Sequence, residues 1–452
     1  MQSTIDSSTL RGHMWRLLPR LALGLAAAAV VSACGGDAGE PQAPAGGSRA
    51  DAPLCPDAIS GATPFIGGTG SGELATLALD TTQMTWTVTL LDSSVPRTPG
   101  TVAPMRSDPT DGLNVMRGAL VRETGLPTQR QNKCAFQLQG ASLDAERPAR
   151  VFVGFGVAGG TIPGARIQFD GVLGGGAVPE TVFPYFQFIG FTDIESDIGK
   201  IAGEYNGLGY HVVPTKRFAP VTQDFRMQIG GSGSFTVCSN VDDACDARKG
   251  DPFVAHPSGA LLSTNFKGEV PQTIGTTRGH AYLIVGKLRG QLVPVLVRLG
   301  YTNDPTGPAG GDAAADDEIG LGILAPVGSK PMGAIDGQYV GVDSNFDYRA
   351  TALVGPDATL LDPFLAHDAT LATTYALDYA QVGRPGVVTV RRKDLAMGAG
   401  GSGSAIQRRR ARHPGHGRSR ETLLLLRRAR AMNTRCVHAR GGATFSCHRE
   451  NS

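Results

Sequence analysis

Four histidines, His211, His256, His280 and His367, are spread through the central part of the chain, each beside a strand-like or turn-like stretch. A lone imidazole of that kind is most often structural. To act as a general base it needs a nucleophile in reach and a third group to orient it. His367-Asp368 is half of such an acid–base pair, but no serine can be matched to it. No Gly-x-Ser-x-Gly elbow, His-Glu-x-x-His pair or phosphate loop ending in Lys-Ser/Thr occurs. Gly230-Gly-Ser-Gly-Ser234 lies between two strand-like runs and reads as a hairpin turn. Asp343, Asn345 and Asp347 have the spacing of a calcium loop's first ligands. Tyr348 then stands where that loop needs glycine, and Val354 where it needs glutamate, so a solvated strand edge is the better reading. Asp242, Asp243 and Asp246 are read the same way. No catalytic residue, metal site or cofactor is expected.

The N-terminus carries chemistry of another kind. Met14-Trp-Arg-Leu-Leu-Pro-Arg20 is short and basic, and an apolar run follows from Leu21 to Val31. The run is too short to span a bilayer, which takes about 20 residues, but suits the core of an export signal. It leads into Ser32-Ala33-Cys34-Gly35. Val31-Ser32-Ala33-Cys34 resembles the lipobox of bacterial lipoproteins, in which small side chains let the backbone enter a protease groove and the thiol accepts lipid. The resemblance implies diacylglycerol on Cys34, cleavage before it and acylation of the new amino group. Acyl chains at ~0.8 kcal/mol per buried CH₂ would anchor the protein firmly. Gly35, where aspartate resembles an inner-membrane retention signal, points to the outer membrane. Residues 1–13, Asp6 included, add nothing to the signal, so Met14 is a candidate start.

Export implies an oxidising compartment. Of the seven cysteines, Cys34 is committed to lipid, while Cys436 and Cys447 lie in an atypical C-terminal tail. The remaining four allow three disulfide pairings. Cys238–Cys245, closing a short loop, and Cys55–Cys134 are favoured. The spacings are unlike zinc motifs and no histidine adjoins them.

The elements that must position all this read as strands. Gly (62) and Pro (29) are abundant and aromatics are 6%, a balance that favours many short strands. Thr85, Thr87 and Thr89 alternate with Trp86, Val88 and Leu90, the period of a half-buried strand. Similar runs recur to about Arg392. Only Thr192–Lys200 and Asp362–Leu371 look helical. The expected fold is all-β: many short antiparallel strands in sandwich- or barrel-like units, in two β-domains. The expected order is a signal peptide over 1–33, a flexible Gly/Ala/Pro tether over 34–54, a first domain over 55–195, a second over 196–395 with a seam near 330, and a disordered Arg-rich tail over 396–452.

One internal echo stands out. Ile201-Ala-Gly203-Glu-Tyr205-Asn-Gly207-Leu matches Ile335-Asp-Gly337-Gln-Tyr339-Val-Gly341-Val, 134 residues on. Each copy reads as the first strand of a β-unit, with glycine for close approach and a tyrosine whose hydroxyl reaches a polar edge. The tail differs in kind. Residues 401–452 hold twelve Arg and no Lys against Glu421 and Glu450, and four of the nine His. Such text is typical of a GC-rich gene read out of frame. With the tail at +10 and residues 1–33 at +2, the formal +2 of the chain leaves 34–400 near −10, with no electrostatic footprint for nucleic acid.

With the lipobox, the repeated Ile-x-Gly-Glu/Gln-Tyr motif and Val285-Gly-Lys-Leu-Arg-Gly-Gln-Leu-Val-Pro-Val-Leu-Val-Arg298 in view, residues 55–395 resemble an uncharacterised β-proteobacterial lipoprotein family known only as a domain of unknown function. That resemblance implies no activity. The expected role is a non-catalytic, lipid-anchored envelope protein that binds a ligand or protein partner or serves as a scaffold. Its partners are then the membrane, through Cys34, and an envelope ligand or protein. The alternative is an envelope hydrolase whose site is assembled from distant residues.

Overall fold

The computed structural model of the chain describes residues 53–393, interrupted at 102–103, 173–175, 215–216, 240–249, 267–278, 289, 301–302, 305–311, 314–317, 343–347, 365–371 and 381–384, together with three strands beyond 393. The fold is all-β and antiparallel, built on a closed barrel, a sheet curled into a half-barrel and a third sheet.

The barrel comprises β1 (Phe65–Thr69), β2 (Leu74–Asp80), β3 (Thr85–Asp92), β4 (Val115–Arg122), β5 (Ala135–Leu138), β6 (Ala149–Gly154), β7 (Val157–Val172) and β8 (Gly176–Phe191). Each strand pairs with the next, and β1 closes on β8. Its second turn uses an aspartate: Asp80 Oδ1 accepts from the N–H groups of Thr82 and Gln83, which bends the chain between β2 and β3. The alternation in β3 then buries Trp86, Val88 and Leu90 and leaves Thr85, Thr87 and Thr89 on the other face. One short helix escaped the sequence reading, α1 (Gln129–Lys133) before β5. Thr128 and Gln131 form a capping box at its start, Thr128 Oγ1 accepting from Gln131 N–H and Gln131 Oε1 from Thr128 N–H. Cys55 and Cys134 form a disulfide that ties the entry of the body to the residue before β5.

A short helix, α2 (Ile198–Ile201), leads to the second sheet. The strands here are β9 (Gly203–Val213), β10 (Ala219–Ile229), β11 (Phe235–Ser239), β12 (Val254–Ala255), β13 (Leu261–Ser263), β14 (His280–Leu288) and β15 (Gln291–Leu299). A small pair, β16 (Asn303–Asp304) with β17 (Asp312–Ala313), precedes β18 (Ile319–Pro326). The spatial order is β11-β10-β9-β18-β15-β14-β13-β12. Gly230–Ser234 forms the β10–β11 turn, where Gly233 takes φ +84°. Both faces of its central strands β18, β15 and β14 are buried. Leu208, Tyr210, Ile284, Val295, Val297, Leu321 and Ile323 meet Phe186, Ile189 and Phe191 of the barrel. The alternate positions, among them Phe225, Met227, Leu283, Leu296 and Leu324, line the inner face of the curl. Burial on both sides is why these strands read as unbroken apolar runs. The barrel comes close enough that a Cβ on Gly72, at φ +75°, would lie 2.1 Å from the Arg298 carbonyl oxygen.

The third sheet holds β19 (Gly337–Val342), β20 (Tyr348–Val354), β21 (Asp357–Leu361), β22 (Thr373–Asp378) and β23 (Val387–Arg392) as a meander. Within the tail, where disorder is expected, strands are described at β24 (Glu421–Leu424), β25 (Val437–Ala439) and β26 (Gly442–Glu450); β24 pairs with β23 and β26 with β19, sheet edges that offer open backbone groups. Val340, Val342 and Tyr348 join the core of the barrel. Tyr348 Oη donates to the Pro148 carbonyl at 2.9 Å, and the Arg150 guanidinium lies 4.9 Å from the Tyr348 ring and 3.9 Å from that of Phe364.

The two echo motifs occupy matching places. Tyr205 Oη donates to the Ile201 carbonyl at 2.5 Å, and Tyr339 Oη to the Ile335 carbonyl at 2.8 Å. In both copies the isoleucine is buried, the glycine opens the strand and the tyrosine hydroxyl reaches back four residues. A phenol and a carbonyl thus satisfy each other where the chain enters a sheet. Tyr205→Phe and Tyr339→Phe are each expected to cost about 1–2 kcal/mol, because a buried carbonyl loses its donor. Chemical denaturation of the two variants checks this, and markedly unequal losses would mean that the motifs do different work.

Candidate ligand-binding cleft

On the inner face of the curled sheet a cleft encloses about 410 Å³ of empty space, open solvent included. Its floor is made by Gly209 of β9 and by Gly320 and Gly322 of β18, adjacent strands whose register sets Gly209 opposite Gly322. Phe225 of β10 lies over that floor. A Cβ on Gly207 would meet its ring at 2.3 Å, whereas Cβ atoms on Gly209 and Gly322 would sit 3.5 Å from it, in ordinary contact. Glycine at 207 is therefore what lets the ring lie down on the sheet. Phe266, Leu296 and Val237 complete the apolar wall.

Polar groups converge at one end. Arg298 Nη1 donates to Glu318 Oε2 at 2.5 Å, and His211 Nε2 stands 3.7 Å from the same oxygen. The Arg298 guanidinium carbon lies 5.6 Å from the Phe266 ring centre. Gln223 lies on the same wall as Phe225. His211, Arg298 and Gly320 are brought together by register alone: His211 pairs with Gly320 and Gly320 with Arg298 across three adjacent strands. Apolar walls with a few convergent polar groups are the usual make-up of a small-molecule site.

A second polar cluster sits where the barrel meets the other face of the sheet. Asp92, the last residue of β3, takes a hydrogen bond from Tyr282 Oη at 2.7 Å, and His280 Nε2 lies 2.8 Å from the same carboxylate oxygen. The His256 ring packs edge-on against Tyr282, 5.2 Å between centres. This is a histidine beside a carboxylate and a hydroxyl, yet it offers no activated nucleophile. Burial and the charge of Asp92 push ionisation of the Tyr282 hydroxyl far up. His256 Nδ1 is 2.9 Å from Ser258 Oγ, but that nitrogen also accepts the Ser258 N–H at 3.3 Å within a tight turn. A lone pair engaged by a backbone donor is not offered to a serine proton.

Residues 85–410 match the protein family described as "Protein of unknown function (DUF2957)". The chain belongs to the DUF2957 family. No curated protein and no solved structure matches it. The DUF2957 region begins within β3 and takes in the rest of the barrel, the whole curled sheet and the third sheet through β23. Both polar clusters lie inside it, whereas Cys55 and the first two barrel strands precede it. Sequence reading of this DUF2957 protein singled out neither cluster as a unit. Asp92 and His280 are 188 residues apart and His211 and Glu318 are 107 apart; no spacing rule links them.

The other sequence-derived sites divide between described and undescribed residues. Cys55 and Cys134 are joined. Cys238 is the penultimate residue of β11 and is disulfide-bonded, while its favoured partner Cys245 lies outside the described residues. Cys34, Asp242, Asp243, Asp246, Asp343, Asn345, Asp347, His367 and Asp368 also lie outside them. Among the described residues no group of His, Cys, Asp or Glu gathers as a metal site would, and no helix is long and apolar enough to cross a membrane.

Asp92 makes the seam between barrel and sheet pH-dependent. Its burial opposes the charge, but the hydrogen bond and charge of His280, the Tyr282 hydroxyl and the Ser93 N–H outweigh it and hold the carboxyl below its ordinary range. A depressed carboxylate stabilises fully above its unfolded value, about 3.9, and the contribution is lost as pH falls through the folded value. Asp92→Asn is expected to cost about 1.5–3 kcal/mol at pH 7, and the gap from the parent should narrow at pH 3. Urea denaturation at both pH values checks this; an equal gap at the two would refute it.

Proposed function

We propose that this chain is a lipid-anchored protein of the bacterial cell envelope that binds a small ligand in the cleft of its curled sheet, without catalysing a reaction. The observation that carries the binding half is the cleft itself: a ring laid flat on a glycine floor, apolar walls, and the Arg298–Glu318–His211 group at one end. The anchoring half rests on Val31-Ser32-Ala33-Cys34 after the apolar leader, and Gly35 favours the outer membrane. A binder needs a shaped, mostly apolar recess with orienting polar groups; a hydrolase needs in addition an activated nucleophile, and neither polar cluster supplies one.

Two measurements test the two halves separately. Cells fed labelled palmitate should incorporate label into the parent and not into Cys34→Ala, which should leave the membrane fraction. For the cleft, Gly209→Leu fills the recess at a position where a Cβ makes only ordinary contacts. The mature protein, isolated gently and examined by native mass spectrometry, should carry a small molecule that Gly209→Leu does not. Label on the alanine variant, or the same bound mass on both proteins, would overturn the corresponding half.

A further inference from the structure

We propose that the side of β19 turned away from β20 is a strand-acceptor site, filled by residues 442–450 of the chain's own C-terminal segment and held through the backbone. The internal echo is the first ground. β9 and β19 carry the same motif and close the same tyrosine–carbonyl contact. Each is followed by its hairpin partner, β10 or β20. β9 is also paired on its other side, by β18. On the corresponding side of β19 the DUF2957 region, which ends at residue 410, supplies no strand among the described residues; the strand there is β26. The motif therefore marks a strand built to have two neighbours.

Burial is the second ground. Tyr339, Val340 and Val342 are at most 1% exposed. Val340 and Val342 pack into the core of the barrel and Tyr339 into that of the third sheet, so β19 is covered on both faces. An unfilled edge on such a strand would be a row of N–H and C=O groups shut away from most of the water that could satisfy them. β26 supplies antiparallel partners. Gln338 stands opposite Glu450, Tyr339 opposite Arg449 and Val340 opposite His448; past a bulge, Gly341 stands opposite Ser446 and Val342 opposite Phe445. β26 also runs close to β6 and β7, so the barrel wall bounds the slot. β25 folds back on β26 as a hairpin and comes near β24 at the opposite edge of the sheet. The C-terminal strands thus draw the two edges together, and a strand of three residues stands where a longer open edge would invite foreign chains. Because the ladder bonds come from the main chain, the site selects an extended segment before it selects a particular sequence.

Successive N–H groups of an antiparallel strand point to opposite neighbours. Hydrogen exchange of the full chain, followed by NMR, should therefore find the amides of Tyr339, Val340, Gly341 and Val342 all slow. Phe445→Pro and Ser446→Pro are adjacent, so at least one of them removes an N–H directed at β19, and proline does not sit in a strand paired on both sides. That variant should speed exchange about tenfold or more at every second one of these amides. The amides facing β20, and those of Val88 and Phe136 in the barrel, should stay as slow as in the parent. Alanine at the same two positions should change nothing. A synthetic peptide of residues 440–452, added to the proline variant, should restore slow exchange. Fast exchange at alternate amides of the parent would show an empty edge and overturn the inference. Equal protection in the parent and both proline variants, or a peptide that restores nothing, would overturn the assignment of residues 442–450. Protection lost on dilution would do the same, because it would mean a strand lent by a second copy.

Discussion

Arg106→Met is expected to cost the barrel about 3–5 kcal/mol, the scale set by breaking a buried ion pair from one side. The partner left behind is Glu73, whose side chain is 0% exposed. Its carboxylate sits in a closed circuit at the β1–β2 turn. Ser71 Oγ donates to Oε2 at 2.7 Å, Ser93 Oγ to Oε1 at 2.7 Å and Arg106 Nη1 to Oε2 at 3.3 Å. Thr69 shares a 2.6 Å hydrogen bond with Ser71 and accepts the Glu73 N–H at 2.9 Å. Arg106 also donates to the Pro163 carbonyl at 3.3 Å and lies 5.7 Å from the Phe186 ring centre. With the guanidinium gone, two hydroxyls cannot neutralise a carboxylate shielded from water. The double variant Glu73→Leu/Arg106→Met removes both charges and should recover most of the loss, because the pair's attraction roughly offsets its desolvation. Guanidinium denaturation of the parent, both single variants and the double variant measures the coupling. A double variant no more stable than Arg106→Met would show that the circuit holds the turn by shape and not by charge.

Loss of the Cys55–Cys134 disulfide should cost about 2–4.5 kcal/mol. The bond closes a span of 79 residues, and on the chain-entropy account a loop of that size gives roughly 4.5 kcal/mol at the upper end. The loop takes in β1 to β4, half of the barrel's strands, so the unfolded chain gains its freedom back where the barrel must close. Both sulfurs are buried, at 2% and 1% exposure for their residues. Cys55→Ala/Cys134→Ala should lower the denaturation midpoint, and because the released unfolded chain exposes more surface, the transition should steepen rather than broaden. A double variant as stable as the oxidised parent would show that the barrel's core, centred on Leu77, Val88, Phe136 and Phe152, closes without help from the crosslink.

Much of the fold was legible locally. The period of two in Thr85–Leu90, the turn residues Asp80–Gln83 and Gly230–Ser234, and the scarcity of amphipathic helix all report on neighbours within a few residues, where sterics and burial leave a direct imprint. The helix α1 was missed because it is a single turn whose only sign is Thr128 with Gln131, too brief for any period. The echo of Ile201–Leu208 in Ile335–Val342 was visible as text, but its meaning, a tyrosine hydroxyl closing on a carbonyl four residues back, needed coordinates.

By itself, then, the amino-acid order determined the all-β class, many of the strand and turn positions, and the cysteines available for crosslinks. The tertiary structure alone decided that eight strands close into a barrel, that the next sheet is covered on both faces, and which distant side chains meet. Asp92 reaches His280 only because the barrel's third strand ends against β14. His211, Arg298 and Glu318 meet only because β9, β18 and β15 are neighbours out of chain order. The physical reason is that strand pairing is set by long-range backbone hydrogen bonds and the burial of whole faces, to which a stretch of sequence contributes one edge and no record of its partner.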